Sequence, residues 1–432
     1  MLMRFYYFLK NKFQKYVNRS DFFKNTLMLI SGTAIGQILP LAITPILSRL
    51  YTPEDFGSLT LFMTIVIWGS FIANGRYDLA IVLPKKQDYS LNLMIFSVCL
   101  SAFVCFLFFV VVVFFHRPLI ELLAANTLED WIYLAPLVIF FLAVYELLTY
   151  FHTKLKNFKV IAQSQVIRSL TTSLLQVILF FTNSGIIALV GGYSLGQLSG
   201  NMGMLKILIR DNKLISSIRI SKMWALAKRY KRFPQVQMPS TILNRLGNEL
   251  PNLLLNPFYG VEILGLYSFG YRLLTIPSVF IGASVSKIFL QAATEEFYKT
   301  RKSSQIYKSV FKKLVLLGAP FFVVLAITAK PVFAFVFGKQ WAMAGFYSQI
   351  LSPLLFTRFV AAVMSTILYV FEKHKIIFIT QLVLFLITLS IFVAAHFLNW
   401  NFVLFLSVFS ISLTLYYIIF CFITWLVANK KI

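Results

Sequence analysis

The sequence predicts an all-α polytopic membrane protein: twelve transmembrane helices in two six-helix bundles related by a pseudo-twofold, with both termini cytoplasmic. Three observations predict it. Apolar residues make up 59% of the 432 positions and charged residues 13%, against about a quarter charged in an average soluble domain. Apolar runs of about 20 residues, the length that crosses a bilayer as a helix, recur from end to end. Basic charge collects in every second connection between them, as the positive-inside rule requires.

Cutting the chain at charge clusters and turn signals places the first six spans at about residues 25–50, 56–83, 89–115, 131–152, 160–181 and 186–209. The second six fall at about 233–259, 263–290, 314–337, 341–371, 376–398 and 402–427. One set of connections is basic, from the cluster before Lys24 through Lys85 and Lys86, Lys154 to Lys159, Lys206 to Arg232, Lys299 to Lys313, Lys373 and Lys375, to Lys430 and Lys431. The opposite set holds Arg49, Arg117, Lys330 and Lys339 beside Glu54, Asp55, Glu121, Glu129, Asp130 and Glu262. The basic set therefore faces the cytoplasm, which demands an even number of spans. The net charge of +25 records this orientation. It does not indicate a nucleic-acid partner, because no soluble fold is present to carry a basic patch.

Residues 1–24 read as a basic, aromatic interfacial segment on anionic lipid: a full-length span follows without a small-residue cleavage site. The longest basic connection, residues 211–232, divides the chain into an amino-terminal bundle, 25–210, and a carboxy-terminal bundle, 233–428. The division is echoed in a short repeat. Tyr51, Glu54 and Gly57 follow the first span, and Tyr259, Glu262 and Gly265 follow the seventh at the same spacing. Parallel repeats of this kind build several transporter folds. In the first copy Thr52 can cap the next helix, Pro53 suits its first turn, and Glu54 and Asp55 face the positive end of its dipole.

Charges inside the spans are the candidates for function, since a buried charge in a membrane normally faces a partner or a watery cavity. They are Arg76, Arg168, Arg245, Arg272, Lys287 and Arg358, against Asp78, Glu146 and Glu249. Span seven lines Gln237, Thr241, Asn244, Arg245, Asn248, Glu249, Asn252 and Asn256 along one helical face, the pattern of a cavity wall. Span five repeats it with Ser164, Arg168, Thr172 and Gln176, and span one with Thr33, Gln37, Thr44 and Ser48. Such stripes also serve as hydrogen-bonding glue between helices. Arg245 and Glu249, four residues apart, can pair; Arg76 and Asp78, two apart on a continuous helix, point to different sides. An excess of arginine favours an anionic passenger, and the planar guanidinium fork suits phosphate. Cys99, Cys105 and Cys421 sit in apolar runs without metal or disulfide spacing, and no cofactor, metal or catalytic motif is visible.

Particular motifs carry a family resemblance. The run from Arg49 through Tyr51, Pro53 and Asp55 to Gly57, the run Gly75 to Ile81 before Leu83 and Pro84, and, in the second half, Gly265 to Arg272 with Ile276 and Pro277, then Phe337, Gly338 and Trp341, resemble the polysaccharide flippases of the multidrug/oligosaccharidyl-lipid/polysaccharide (MOP) exporter superfamily. The resemblance covers nearly the whole chain. It implies a nonenzymatic flippase of the bacterial inner membrane. The passenger would be an undecaprenyl-pyrophosphate-linked repeat unit for O-antigen, lipopolysaccharide, capsule or exopolysaccharide, moved by alternating access, with membrane lipid and the pathway's polymerase and glycosyltransferases as partners. The family's cationic lumen maps onto Arg76 and Arg272, which stand in the motifs. Arg168, Arg245, Arg358 and Asn248 join them as substrate-binding candidates from the span reading. Asp78, Glu146 and Glu249 are candidates for ion coupling or for counter-ions. Two alternatives stand beside this reading: a drug or organic-cation antiporter of the same superfamily, and a membrane-bound polysaccharide polymerase.

Overall fold

A computed structural model describes residues 21–182 and 185–430. Among them there is no strand, and the long elements are all helices. They run as α1 (Asp21–Leu50), α2 (Pro53–Asn74), the short α3 (Tyr77–Ala80), α4 (Gln87–Phe114), α5 (His116–Leu123), α6 (Ala135–Lys154), α7 (Phe158–Phe180) and α8 (Ile186–Ile209). The middle of the chain forms α9 (Asn212–Ile215) and α10 (Ile220–Arg229). There follow α11 (Met238–Tyr259), α12 (Val261–Thr300), α13 (Ser304–Phe337), α14 (Ala342–Met364), α15 (Ile367–Val370), α16 (His374–Phe397) and α17 (Phe402–Ala428). Of the basic amino-terminal segment only residues 21–24 fall among those described.

Seven of the described helices are long and apolar enough to cross a membrane: Pro53–Asn74, Gln87–Phe114, Ile132–Lys154, Ser304–Phe337, Lys339–Val370, Lys375–Phe397 and Phe402–Ala428. The chain is a multi-pass membrane protein. Five further helices, α1, α7, α8, α11 and α12, also have spanning length.

One expected span is broken where the apolar pattern gave no warning. The span expected over 56–83 ends at Asn74. Gly75 and Arg76 both take left-handed conformations (φ 52° and 59°), and α3 restarts the chain in a new direction. The span expected over 341–371 runs on through α15, since Ser365 and Thr366 keep right-handed helical angles and Lys339–Val370 reads as one span. The turns that follow α6 and α15 are alike. Leu155, Lys156 and Asn157 donate their amides to Phe151, Thr153 and His152, and Phe371, Glu372 and Lys373 donate to Ile367, Tyr369 and Leu368. Lys156 and Glu372 sit at φ 60° and 53°. Each turn closes the preceding helix in the manner of a left-handed C-cap.

The chain divides into two compact units. The first holds the residues through Leu47 with Ile65–Leu119 and Leu128–Pro239; the second holds Ser48–Thr64, Ile120–Thr127 and the residues from Ser240 onward. Within the first, α10 is amphipathic: Leu226 and Ala227 pack on Tyr77, Ala80 and Leu93, while Ile220 and Trp224 remain exposed. Tyr77 donates its hydroxyl to the Ala227 carbonyl at 3.1 Å, and Lys222 pairs with Asp88 at 3.1 Å. The basic stretch between the expected bundles is thus folded onto the helices that precede it.

Within the second unit, the first turns of α2 cross the start of α12. A methyl group on Gly57 would lie 1.9 Å from the Val261 carbonyl oxygen, and one on Gly265 would lie 1.8 Å from that of Pro53. The glycines of the repeated motif are therefore there because two backbones touch, and only hydrogen fits. Thr60 and Ser268 share a hydroxyl hydrogen bond at 2.9 Å. The contact is reciprocal, since Pro53 with Val261, Gly57 with Gly265 and Thr60 with Ser268 stand at one common offset in the chain. Thr52 and Asp55 cap α2 in both directions, at 2.9 Å for Thr52 N to the carboxylate and 3.2 Å for Asp55 N to the Thr52 hydroxyl. Trp341, fully buried, stacks on Phe269 and donates its indole N–H to the Ser48 carbonyl at 2.7 Å, and Gln340 donates to the same oxygen. On the other copy Asn256 donates to the carbonyls of Leu123 and Ala124 at 2.7 and 2.9 Å. Burial, with the nearby Asp55 carboxylate, holds the Tyr51 phenol above its ordinary pKa, so it stays neutral in this layer.

Candidate functional site

The predicted polar residues gather into separate clusters, two of them in the first unit. One is built by the break after α2. Because the backbone reverses at Gly75, the Arg76 guanidinium reaches Asp78 at 3.2 Å, with side chains 12% and 2% exposed. This corrects the expectation that the two point apart, which assumed a continuous helix. Arg76 also lies 5.5 Å from the centre of the Phe71 ring. Nearby, the buried Asn74 donates to Glu146 at 3.1 Å and to the Ala143 carbonyl at 3.3 Å, and accepts from Ser101 at 3.0 Å. Tyr150 lies within electrostatic reach of Asp78, Arg76 and Glu146. Three predicted residues thus share one site. Among the described residues Arg76 Nε and Asp78 Oδ1 find no hydrogen-bond partner, which leaves the buried pair incompletely satisfied.

The second cluster surrounds Arg168. Its guanidinium lies 4.3 Å from the Tyr145 ring centre and donates to Gln197 at 3.2 Å, while the Tyr145 hydroxyl donates to Gln165 at 2.8 Å. The stripe on α7 that carries Arg168 packs against a glycine ladder on α8. A methyl on Gly196 would fall 1.8 Å from the Thr172 hydroxyl, one on Gly192 would fall 2.7 Å from the Gln176 side chain, and one on Gly200 would fall 3.1 Å from Arg168. Ser164 donates to the Gly200 carbonyl and Gln176 to the Leu189 carbonyl. For span five, glue between helices is the observed role: small residues let the backbones approach, and polar side chains bridge them. Arg168 lies within that seam, between the Ser164 and Thr172 contacts.

The third cluster lies in the second unit. Arg358, on α14, donates to the Tyr271 hydroxyl and lies 5.7 Å from that ring's centre. Tyr271 stacks on Tyr267 at 5.6 Å, and Tyr267 feels the charges of Arg358 and Glu249. Glu249 accepts from Asn252 at 2.9 Å. Arg358 also lines a cavity of about 360 Å³ with Ser365, Tyr369, Thr380, Gln381 and Tyr416, a wall rich in hydroxyl, amide and aromatic groups. Arg245 is half-buried on α11. The Asn248 and Asn244 side chains lie outside the described residues. Arg272 is exposed on the unbroken forty-residue α12.

Sequence reasoning missed Asn74, Tyr145, Gln197 and Tyr271, the neutral partners that hold the charges. Asn74, Tyr145 and Tyr271 each stand within two residues of a position already singled out, and that proximity was the available signal. Gln197 lies on another helix and gave none. Among the described residues no group of His, Cys, Asp and Glu could hold a metal.

Comparison with known proteins adds to this. Residues 46–346 match the family model described as polysaccharide biosynthesis protein. The succinoglycan biosynthesis transport protein ExoT of Rhizobium meliloti (strain 1021) is 24% identical over 306 residues, covering 69% of this chain and 59% of that protein. The teichuronic acid biosynthesis protein TuaB of Bacillus subtilis (strain 168) is 27% identical over 117 residues, covering 27% of this chain and 24% of that one. The chain therefore matches 59% of the length of the first relative and 24% of the second. Among solved structures, the lipid II flippase MurJ in an inward closed conformation superposes with a TM-score of 0.73 at 14% identity, covering 94% of this chain and 87% of that one. A MOP superfamily transporter from Pyrococcus furiosus gives 0.60 at 12% identity, covering 94% and 95%. The Vibrio cholerae MATE transporter VcmN in its bent form gives 0.54 at 16% identity, covering 94% of this chain and 95% of that one. These likenesses establish a common fold.

Proposed function

The chain belongs to the family of polysaccharide biosynthesis proteins, and from that premise we propose that it flips a lipid-linked oligosaccharide across the bacterial cytoplasmic membrane. The passenger is an undecaprenyl-pyrophosphate-linked repeat unit of O-antigen, capsule or exopolysaccharide, carried by alternating access of two six-helix bundles. The transport and biosynthesis roles in the names of the relatives support this reading, as does the fold shared with a lipid II flippase.

The observation that carries the passenger's chemistry is the Arg358 chamber. Guanidinium is the strongest side-chain partner for phosphate oxygens, and the Gln381 amide with the Tyr369 and Tyr416 rings around it suits a glycan. Arg168, Arg245, Asn248 and Arg272 are the further substrate-binding candidates of this proposal. Arg76, held by Asp78, shapes its own corner. Glu146 and Glu249, each hydrogen-bonded by an asparagine, are the carboxylates for ion coupling, with Asp78 as a counter-ion. A cation exporter would be served by unpaired acids, and the excess of bases over acids inside the expected spans, six against three, weighs against it.

The twelve-span topology with cytoplasmic termini and bundles at 25–210 and 233–428 belongs to the same proposal. The matching turns at Lys156 and Glu372 and the reciprocal Gly57 and Gly265 crossing support its repeat. Polymerase and glycosyltransferases of the pathway are the expected partners.

The test is reconstitution in vesicles loaded with an undecaprenyl-pyrophosphate oligosaccharide on one leaflet. Appearance of the glycan on the other leaflet, read by an impermeant lectin, supports flipping. Unchanged sidedness together with uptake of an organic cation would replace it with the antiporter reading.

A further inference from the structure

Beside the Arg358 cavity, with which it shares Tyr417, α13, α14 and α17 leave a groove of about 490 Å³ between them. Its walls are Phe311, Val315, Phe356, Val360, Ile418 and Phe422, with Trp425 and Lys308 toward one end. The groove is held open by its own packing. Tyr307 donates to the Cys421 carbonyl at 2.8 Å and lies 2.8 Å from the Thr424 hydroxyl, which pins α13 to α17 at one end. Gly318 brings α13 against the rings of Phe356 and Phe359 at the other.

We propose that this groove is a binding site for a bilayer phospholipid with an anionic headgroup, its acyl chain between α13, α14 and α17 and its phosphate on Lys308. The charge is arranged for it. Lys308 and Lys312 are both exposed and one turn apart on the same face of α13. Glu296, whose carboxylate reaches the start of α13, is occupied in accepting the backbone amides of Gln305 and Ile306. Basic pockets between transmembrane helices are the usual receptors for anionic lipid heads. Trp425 beside the lysine end is the aromatic residue expected at the membrane interface. The groove runs from Lys308 to Val315, about 10 Å along the helix at ~1.5 Å per residue.

The interior of the groove argues against the glycan carrier. Thr357 spends its hydroxyl on Pro353 and Tyr307 spends its own on α17, so these two hydroxyls are already engaged, and the rest of the wall is mainly hydrocarbon and aromatic. Ile418 and Phe422 are more than half exposed. The site therefore opens on the flank that bulk lipid covers and stays filled whether or not a passenger is present.

Purified full-length protein, delipidated and titrated with phosphatidylglycerol or phosphatidylcholine of identical chains, tests this by native mass spectrometry. Phosphatidylglycerol should be retained selectively, and Lys308→Gln should weaken retention about fivefold, the effect of one basic residue near an anionic lipid. Val315→Trp, which fills the groove and leaves the lysines intact, should also abolish selective retention. Independently of any variant, phosphatidylglycerol carrying a photoreactive chain should crosslink in wild-type protein to the α17 segment from Tyr417 to Trp425. Equal retention of the two lipids, or crosslinks spread evenly over the apolar helices, would overturn the proposal. Displacement of phosphatidylglycerol by equimolar undecaprenyl phosphate would also overturn it, by assigning the groove to the passenger's own tail. Vesicle flipping is a separate readout, so this site can fail while the flippase reading stands.

Discussion

Arg76 and Arg272 each stand in a family motif, one in each half of the chain, and their surroundings differ. Arg76 follows a broken helix and is folded back onto Asp78 with both side chains almost wholly buried. Arg272 rides an unbroken forty-residue helix and is exposed. The backbone separates the two. Gly75 takes a positive φ where its helix ends, whereas Gly270, two residues before Arg272, stays helical against Ala344 and Ser348. One half thus holds an internal strut and the other an exposed arginine.

Substitutions can break or sharpen that contrast. The largest effect is expected at the reciprocal crossing. Gly57→Ala or Gly265→Ala forces a methyl into backbone at under 2 Å, and overpacking of this kind costs about 1–3 kcal/mol or more. Both variants should melt well below wild type in detergent and lose export. Gly203→Ala, with nothing within 4 Å, should leave both readouts unchanged. Next comes the buried pair. Arg76→Ala strands the Asp78 carboxylate, at a cost of about 3–5 kcal/mol for one partner of a buried ion pair. It should lower the amount of protein in the membrane, and the double variant Arg76→Met, Asp78→Leu should restore that amount. Arg272→Ala should leave the amount intact. If both single variants accumulate normally, the strut interpretation is wrong. Smallest is Lys222→Gln, which removes a partly exposed pair with Asp88 worth about 0–1 kcal/mol and should change neither stability nor export detectably.

The sequence disclosed the helical membrane class and the charged residues worth watching, because apolar run length and charge placement are local properties of the chain. The capping at Thr52 and Asp55 was legible for the same reason. The break at Gly75 was not, because glycine in a span is tolerated or reversed according to what packs around it. The polar stripe on α7 was equally ambiguous: a face bearing Arg168 and Thr172 looks the same whether it lines water or meets glycines. The decisive residues, Gly192, Gly196 and Gly200, lie on another helix, and only the fold shows that they face it. Tyr271 and Asn74 escaped notice because neutral partners carry no signal of their own until a charge is placed against them.

The central claim is that arginine in a polar, aromatic chamber captures the pyrophosphate of the passenger. Leaflet sidedness of lipid-linked repeat units in cells carrying Arg358→Ala, Arg358→Lys or wild-type protein at equal membrane levels tests it most directly. Repeat units should accumulate on the cytoplasmic leaflet with alanine, and lysine should restore export in part, since it keeps the charge and loses the bidentate fork. Normal sidedness with Arg358→Ala, or glutamine serving as well as arginine, would contradict the claim and leave recognition to the glycan alone.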